Sequence, residues 1–351
     1  MPKIKGVMIL LTKTEREIDE QSEKFERIAK EYDSRSYDLL SFLKSAEKGA
    51  SEIDFVGCGS SYYLAMGLSF HLNRLSGGKV ISKFFSGSEV AFGLRTLPKS
   101  AILIGISRSG ESSETILALK EAKKQFNVKT GAIVCDSKSE LVNIADASAT
   151  LDFINEESVV MTQSFTSMAF LGTLIIRNIF NQGNLKNYME FVTKISKKTL
   201  EDVKNLFEKV KPENYDHFVF LGYDEYFAAS MEGVIKVSET SLAPAEAYQT
   251  LEYRHGPKSK VDDKTLSIIL ANDFTKPQEE KMAKEIEQLG GSVISISKTS
   301  FGTERNLVVL VDDFSDWFVR VIPLQIIGVR KSLKKGLLPD EPKNLTKVVK
   351  F

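Results

Sequence analysis

The apolar positions of this sequence follow a helical period near the N-terminus and a strand-and-helix order afterwards. Residues 1–44 are rich in charge, and apolar side chains such as Phe25, Ile28 and Leu39 recur at a spacing near 3.6, which predicts helix. From residue 53, short apolar runs alternate with stretches of helical length. This alternation predicts an α/β fold with doubly wound parallel sheets and helices on both faces.

Five strands are predicted in the first part of the chain, at residues 53–56, 80–85, 101–106, 131–135 and 150–153. The third is apolar throughout, which is typical of a strand buried on both faces. Helices are expected between the strands and from about residue 164. Ligands in such sheets bind beyond the carboxyl ends of the strands, so the turns that follow the strands are where site residues are expected.

The second half of the chain repeats the first. The segment DFVGCGSSYYLAM (54–66) is similar to HFVFLGYDEYFAA (217–229), at an offset of 163 residues. We interpret this as one domain used twice in tandem, although any two α/β domains share part of the pattern. The predicted parts are a helical N-terminal segment, a first domain, a helical connector, a second domain and a tail, at residues 1–44, 45–186, 187–210, 211–340 and 341–351.

Composition narrows the classes of function. The chain has 47 basic and 47 acidic residues, so it lacks the excess of positive charge that nucleic-acid binding requires. Its three histidines and two cysteines show no zinc spacing, and we expect neither a metal nor another cofactor. No apolar run approaches the length of a membrane span, and two isolated thiols fit a reducing compartment. We therefore expect a cytoplasmic protein that does not contact membranes.

The segment GISRSGESSET, residues 105–115, is the sharpest local feature. An apolar strand ends there, a turn rich in serine and glycine follows, and a helix begins near Ser112. The N-terminus of a helix presents free amide groups to an anion, and Ser107, Ser109 and Ser112 add hydroxyl donors while Arg108 adds charge. We predict a phosphate site, with an ordinary serine N-cap as the alternative. The equivalent turn of the second half, ANDFTKP (271–277), lacks the pattern.

Ser60 and Ser61 follow the first predicted strand in the sequence GCGSS. Two glycines at this spacing are weak support for a dinucleotide site, because the third glycine of that motif is missing. The two serines are better interpreted as contacts to sugar hydroxyls or to phosphate.

Candidates for proton transfer and for covalent chemistry lie in the second half. Lys236 and Glu239 are three residues apart and share a helix face, although a surface ion pair explains this spacing as well. His255 precedes Gly and Pro in a predicted loop, where it acts on a ring oxygen or simply caps a carbonyl. The tail carries several lysines, including Lys347; one of them forms a Schiff base with a ketone, or the tail is a solvated basic end.

Taken together and in this order, these motifs resemble the sugar isomerase (SIS) domain family over residues 45–351. The resemblance is strongest to tandem-SIS proteins: the isomerase half of glucosamine-6-phosphate synthases, the short glucosamine-6-phosphate deaminases and the fructosamine-6-phosphate deglycases. It implies two flavodoxin-like αβα sandwiches, no cofactor, a phosphorylated amino sugar as ligand, and a homodimer with shared active sites.

The resemblance also implies a role for each matching residue. Lys347 would form the imine, and Glu239 would move the proton between C1 and C2. Lys236 would orient Glu239 or contact a sugar hydroxyl. His255 would open the sugar ring from the other subunit of a dimer. The residues implied in binding the phosphate and the sugar are Ser107, Arg108, Ser109, Ser112, Ser60, Ser61 and Thr162, the last beside Met161, where the synthases have a ligand serine.

The expected activity is that of an isomerising deaminase, which converts glucosamine 6-phosphate and water into fructose 6-phosphate and ammonia. Residue 2 is Pro2 and not a cysteine nucleophile, and the segment before the first domain is too short for a glutaminase. The alternatives are an ammonia-dependent isomerising aminotransferase, a fructosamine-6-phosphate deglycase, and, in another class, a sugar-phosphate sensor without catalysis.

Overall fold

The computed structural model describes residues 11–46, 50–299, 301, 305–309 and 314–349. Within them the chain forms two five-stranded sheets, all of whose strand pairs are parallel. This is the tandem α/β fold that the sequence predicts. Residues 1–10 of the predicted N-terminal segment and 350–351 of the tail lie outside the described residues.

The N-terminal segment folds as two helices, α1 (Lys13–Asp19) and α2 (Gln21–Ala46). Thr12 and Glu15 form a capping box at the start of α1, since each side chain accepts a hydrogen bond from the other's amide. The apolar positions of α2 that predicted a helix are buried against the protein core.

The first sheet has the strand order β2-β1-β3-β4-β5. Its strands are β1 (Glu52–Gly57), β2 (Phe84–Ser86), β3 (Ala101–Ser107), β4 (Lys129–Val134) and β5 (Ala147–Thr150). The helices that follow its strands are α3 (Ser60–Ser76), α4 (Gly87–Ala91), α5 (Ser113–Phe126), α6 (Glu140–Ile144) and α7 (Gln163–Ile179).

Helix α8 (Leu185–Val210) connects the two sheets. The second sheet has the order β7-β6-β8-β9-β10, which is the order of the first sheet with each strand replaced by its counterpart. Its elements are β6 (His217–Leu221), α9 (Glu225–Ser241), β7 (Ala245–Tyr248), β8 (Thr265–Leu270), α10 (Lys276–Gln288), β9 (Ser292–Ser297), β10 (Asn306–Val308) and α11 (Val321–Lys334).

Two predicted strands are displaced from their observed positions. The strand predicted at 80–85 is Phe84–Ser86, because only an isolated bridge forms at Ile81 and the Lys83 amide donates to the Asp54 carboxylate at 2.8 Å. The strand predicted at 150–153 is Ala147–Thr150, where small residues pair with β4. A run of apolar residues indicates which residues are buried, not which are paired in a sheet. In both places buried residues, Val80 and Leu151, lie outside the hydrogen-bonded strand.

The structure also changes the register of the internal repeat to an offset of 165 residues, since β1 begins at Glu52 and β6 at His217. Gly57 and Gly222 are then equivalent. A Cβ on Gly57 would lie 2.5 Å from the Ser61 carbonyl oxygen, and one on Gly222 would lie 2.7 Å from that of Tyr226. Both turns therefore require glycine for the same close approach.

Helices α3 and α9 pack against each other in opposite directions between the two sheets. Arg74, in the last turn of α3, donates to Asp224 at 2.7 Å and to Glu225 at 3.0 Å, at the start of α9. His71 Nδ1 lies 3.2 Å from Glu225 Oε1, and both side chains are fully buried. The antiparallel arrangement brings the last turns of α9 to the first turn of α3.

An aromatic cluster joins the helices of the two halves. The Phe170 ring of α7 lies 5.3 Å from the rings of both Phe25 in α2 and Phe318, and 6.4 Å from that of Tyr188 in α8. All four side chains are buried. Because α7 is buried on almost every side, this cluster links the N-terminal helices, the first domain and the second domain in one core.

Replacing Phe170 with alanine should lower the free energy of unfolding by about 3–5 kcal/mol, since it leaves a cavity among these rings. Phe191→Ala, on the exposed side of α8, is the matched control and should cost about 0.5 kcal/mol or less. Chemical denaturation of both variants measures the difference. Equal losses would show that the cluster does not hold the helices together.

Candidate functional site

A cavity of about 220 Å³ opens at the carboxyl ends of β1 and β3. In a sheet of order 2-1-3-4-5 the strand order reverses between these two strands, and ligands bind at that switch point. The walls come from the turn after β1, the turn after β3, residues 159–161, the end of α9 and the tail. The lining residues are Cys58, Gly59, Ser60, Ser61, Ser107, Arg108, Ser109, Ser112, Glu114, Val159, Val160, Met161, Glu239, Leu345, Thr346, Lys347 and Val349.

The serine turn after β3, residues 107–112, has hydroxyl groups on the cavity wall. Ser112 is the N-cap residue of α5, yet its side chain makes no capping hydrogen bond. It lies instead 3.4 Å from the Ser107 hydroxyl. Ser107 and Ser109 accept from the amides of Gly110 and Glu111, at 3.0 and 3.1 Å. An ordinary serine N-cap therefore does not describe this turn.

Gly110 holds the serine turn close to the neighbouring loop. Its φ is +67°, and a Cβ there would lie 2.1 Å from the Ser139 hydroxyl oxygen. The Leu141 amide also donates to the Gly110 carbonyl at 3.0 Å. Only glycine fits this position, so packing against the neighbouring loop restricts the backbone of the turn at this residue.

Arg108 lines the cavity, but its guanidinium is directed to protein groups. Nη1 donates to Glu156 Oε2 at 2.9 Å, and Nη2 donates to the carbonyls of Val159 at 2.9 Å and Lys347 at 3.1 Å. The arginine predicted as an anion ligand thus connects the serine turn to two other walls of the site.

Glu156 is a central residue of the site that the sequence did not reveal. One of its carboxylate oxygens accepts from the Thr162 amide at 2.7 Å and from the Thr162 hydroxyl at 3.0 Å, and the Ser164 hydroxyl donates to the other. Burial raises the pKa of Glu156, but Arg108 and these donors outweigh it and hold the pKa below its ordinary value. The carboxylate is therefore ionised, and the only sequence signal is a pair of adjacent acidic residues between Asn155 and Ser158.

Lys236 and Glu239 occupy the cavity end of α9. Lys236 Nζ donates to Glu239 Oε2 at 2.9 Å and lies 3.4 Å from Glu232 Oε1. The Lys236 side chain is only 2% exposed, whereas that of Glu239 is 21% exposed. The pair is therefore not a surface ion pair, and Glu239 alone of the three lines the cavity.

The ionisable side chains of this cluster influence one another. Burial raises the pKa of Glu232 to about 8, with Lys236 lowering it and Glu239 raising it. Burial lowers the pKa of Lys236, but the carboxylates of Glu232 and Glu239 outweigh burial and raise it overall. Lys236 therefore remains a cation beside Glu239.

Lys347 brings the tail into the site. Its ammonium donates to the Glu156 carbonyl, and its own carbonyl accepts from Arg108. The cavity thus contains the predicted serine turn, Ser60, Ser61, Glu239 and Lys347 together.

Two predicted site residues lie elsewhere. Thr162 is fully buried and bonded to Glu156, and its neighbour Met161 lines the cavity instead. A direct ligand contact by Thr162 would require that network to open. His255 is exposed at the end of the 3₁₀ helix Thr250–Arg254, outside the cavity of its own chain.

The corresponding switch point of the second sheet is filled by side chains. Tyr226 stands where the first domain has Ser61, and its hydroxyl donates to Asp316 at 2.6 Å. The Phe314 ring stacks on it at 4.6 Å, and the Arg320 guanidinium lies 4.0 Å from its centre on another side. The described residues thus place the open site in the first domain, and they contain no His, Cys, Asp and Glu cluster suited to a metal ion. No described helix is long and apolar enough to cross a bilayer.

Glu232 leads to a prediction about pH. Its pKa is raised from 4.5 to about 8, so between pH 5 and 7 the folded state keeps a proton that the unfolded state has released. The free energy of unfolding then falls with rising pH, by up to about 1.4 kcal/mol per unit from this group. Urea denaturation of Glu232→Gln should show a shallower fall than wild type, whereas the exposed control Glu190→Gln should not. An unchanged slope in Glu232→Gln would contradict a neutral buried carboxyl group.

Comparisons with known proteins agree with this geometry. The SIS domain family model matches residues 48–177. The crystal structure of a glucosamine-6-phosphate deaminase from Thermotoga maritima superposes with a TM-score of 0.83 and is 32% identical, covering 96% of this chain and 99% of its own. The C-terminal domain of a glucosamine-fructose-6-phosphate aminotransferase from Francisella tularensis also superposes at 0.83, with 24% identity over 95% and 99% of the two chains.

Among curated sequences, the glutamine–fructose-6-phosphate aminotransferase of Buchnera aphidicola is 28% identical over 311 residues, which are 85% of this chain and 51% of that protein. The chain thus spans about half the length of such curated relatives. The T. maritima protein, by contrast, matches along nearly its whole length. The tandem parallel sheets, the cavity at the first switch point and these similarities identify the chain as an enzyme that belongs to the SIS domain family of sugar-phosphate isomerases.

Proposed function

We propose that the protein is an isomerising deaminase, which converts glucosamine 6-phosphate and water into fructose 6-phosphate and ammonia. The observation that carries this proposal is the meeting of the serine turn, Glu239 and Lys347 in one cavity. An anion site, a carboxylate base and an amine nucleophile are the groups that this reaction needs. The deaminase from T. maritima, similar along its whole length, supports the same reading.

The serine turn holds the phosphate group. The hydroxyls of Ser107, Ser109 and Ser112 surround the N-terminus of α5, whose backbone dipole favours negative charge. The chain has no net charge, so the anion is recognised locally and not through a long-range field. With the phosphate fixed there, the carbon chain of the sugar extends towards Glu239 and Lys347.

Glu239 moves the proton that isomerises the sugar. In the open-chain aldehyde, its carboxylate removes the proton from C2 and returns it to C1, while the aldehyde oxygen becomes a hydroxyl by gaining the proton that the C2 amine loses. The product carries C=N at C2 in place of the amine. Lys236 orients the Glu239 carboxylate through their 2.9 Å contact, and the substrate can reach this carboxylate because 21% of the Glu239 side chain is exposed.

Lys347 completes the removal of nitrogen. Its amine adds to C2, ammonia leaves, and a lysine imine forms. Water then adds to the imine carbon, which releases the ketone and restores the amine. Lys347 must first leave the Glu156 carbonyl and lose a proton.

We further propose that ring opening is carried out by His255 of the partner subunit in a cytoplasmic homodimer. His255 is exposed and lies outside the cavity of its own chain, which leaves it free to reach another. The two cysteines are free thiols, which suits a reducing compartment.

A fructosamine-6-phosphate deglycase is the second candidate, and one feature favours it. Val159, Val160, Met161, Leu345 and Val349 form an apolar side of the cavity. Such a wall accommodates a substituent on the leaving amine better than it accommodates ammonia.

Ammonia release from glucosamine 6-phosphate tests the proposed activity directly. We expect equimolar ammonia and fructose 6-phosphate, and reduction with borohydride during turnover should modify Lys347. Cleavage of a fructosamine 6-phosphate without activity on glucosamine 6-phosphate would favour the deglycase. Binding of sugar phosphates without turnover of either substrate would instead indicate a sensor.

Glu239→Gln should reduce kcat by about 10²–10⁴-fold, because the amide cannot carry the proton. Its affinity for glucitol 6-phosphate, which has no carbonyl and binds through the same phosphate, should stay near that of wild type. Glu190→Gln on the surface of α8 serves as the control for both measurements. If Glu239→Gln instead weakened binding of glucitol 6-phosphate and kept the kcat of wild type, the role of base would belong to another group.

A further inference from the structure

The described end of the tail is held to the rest of the protein by one residue. Among residues 342–349, the hydrogen bonds to other described parts of the chain are both made by Lys347: its ammonium donates to the Glu156 carbonyl, and its carbonyl accepts from Arg108. Leu345 and Val349 are 41% and 59% exposed. Arg108 and the Glu156 carbonyl therefore make the hydrogen bonds that hold this part of the tail over the cavity.

Arg108 belongs to the serine turn and Glu156 to the segment between β5 and α7. Their side chains form an ion pair at 2.9 Å and are 10% and 1% exposed. The carboxylate is fixed from the other side by donors from Thr162 and Ser164 at the start of α7. Because Glu156 is held so firmly, the Arg108 guanidinium has little freedom to rotate. Its bond to the Lys347 carbonyl therefore couples the position of the serine turn to that of the tail.

The segment after Glu156 is also anchored to both ends of the chain. Glu17 of α1 accepts from the Ser158 amide at 3.1 Å. The Val159 amide donates to the Asp340 carbonyl at 3.2 Å, and the Asp340 carboxylate accepts from the Thr14 amide at 2.8 Å. These contacts hold the segment beside the Arg108–Glu156 pair in place. A change in the position of Arg108 would therefore move the tail beyond Asp340 more readily than this segment.

We propose that Arg108 and Glu156 are a positioning pair that couples occupation of the serine turn by a phosphate to the placement of Lys347 over the cavity. An anion that fixes the turn also fixes Arg108, and through it the carbonyl of Lys347. Coupling of this kind is reciprocal: the ordered tail strengthens anion binding by the same factor as the anion stabilises the ordered tail. The proposal extends the proposed function, because it concerns how the same site presents its amine.

The competing explanation is that Arg108 is a direct anion ligand which Glu156 holds back. The two explanations differ in sign. If Glu156 restrains a ligand, its replacement by glutamine frees the guanidinium and tightens anion binding. If the pair couples the turn to the tail, the same replacement loosens the tail and weakens anion binding.

The experiment measures binding of glucitol 6-phosphate by calorimetry and hydrogen exchange of amides 343–349 in the full-length chain. In Glu156→Gln we expect affinity to fall by about fivefold, within the usual range of coupling between sites. We also expect faster exchange of the tail without ligand and loss of most of the protection that the ligand gives in wild type. Glu213→Gln is the matched control, since it replaces the carboxylate of another arginine pair, with Arg330 at 2.8 Å, and should change neither measurement.

A double-mutant cycle separates positioning from general damage to the fold. In an Arg108→Gln background, Glu156→Gln should add little to either effect, because Glu156 acts through Arg108. Full additivity would mean that Glu156 acts only through α7, and tighter anion binding in Glu156→Gln would make Arg108 a restrained ligand; either result overturns the proposal. Should Glu156→Gln not fold, Arg108→Gln alone must still loosen the tail.

Tail exchange without ligand does not depend on the identity of the substrate. If wild type failed to bind glucitol 6-phosphate, the proposed function would fail, while the hold of Arg108 on the tail would still be tested by hydrogen exchange. Unchanged tail exchange in both variants would end the proposal even for an active deaminase.

Discussion

The site depends on the buried contact between α3 and α9. Arg74 and His71, near the end of α3, meet Glu225 at the start of α9, and the Glu225 side chain is fully buried. A cation at a helix C-terminus and a carboxylate at a helix N-terminus each complement the helix dipole, so the contact favours antiparallel packing. Antiparallel packing in turn carries Glu239, in the last turn of α9, to the residues that open α3. The proposed base of one domain thereby reaches the proposed anion site of the other.

The two domains have the same strand order, but only the first has an open cavity at its switch point among the described residues. At the switch point of the first sheet, the small residues Ser60 and Ser61 leave space for a ligand. At that of the second, Tyr226 and its partners Asp316 and Arg320 fill the equivalent space. A glycine at the same backbone position keeps both turns alike, so the difference arises from side-chain volume. One domain could then supply the anion site while the other supplied a helix and a tail.

Much of this could be read from the sequence, for identifiable reasons. The fold class could be predicted because buried residues recur with a different period in strands and in helices. The serine turn could be recognised because the equivalent turn of the second domain, residues 271–277, is not rich in serine. Glu156 could not be found in this way. Its partner Arg108 is 48 residues away in sequence, and a loop has no regular spacing of buried residues from which its position could be predicted. Nor could Met161 be distinguished from Thr162, because the side-chain directions of adjacent loop residues depend on backbone angles that composition does not determine. The sequence alignment of the repeat was shifted by two residues because it paired Gly222 with Gly59. In the structure Gly222 is equivalent to Gly57, which makes the same close contact with the following helix.

The charged groups around the cavity are paired before any substrate arrives. Arg108 is balanced by Glu156, and Lys236 is balanced by Glu239. Unpaired charges at this depth would be costly, and paired ones leave the hydroxyls and amides of the serine turn as the first donors an anion meets. Neutral donors at a helix N-terminus bind a phosphate without holding it too strongly for release. The paired charges therefore hold the walls of the cavity in place, and the proposed base Glu239 and the proposed amine of Lys347 line it together.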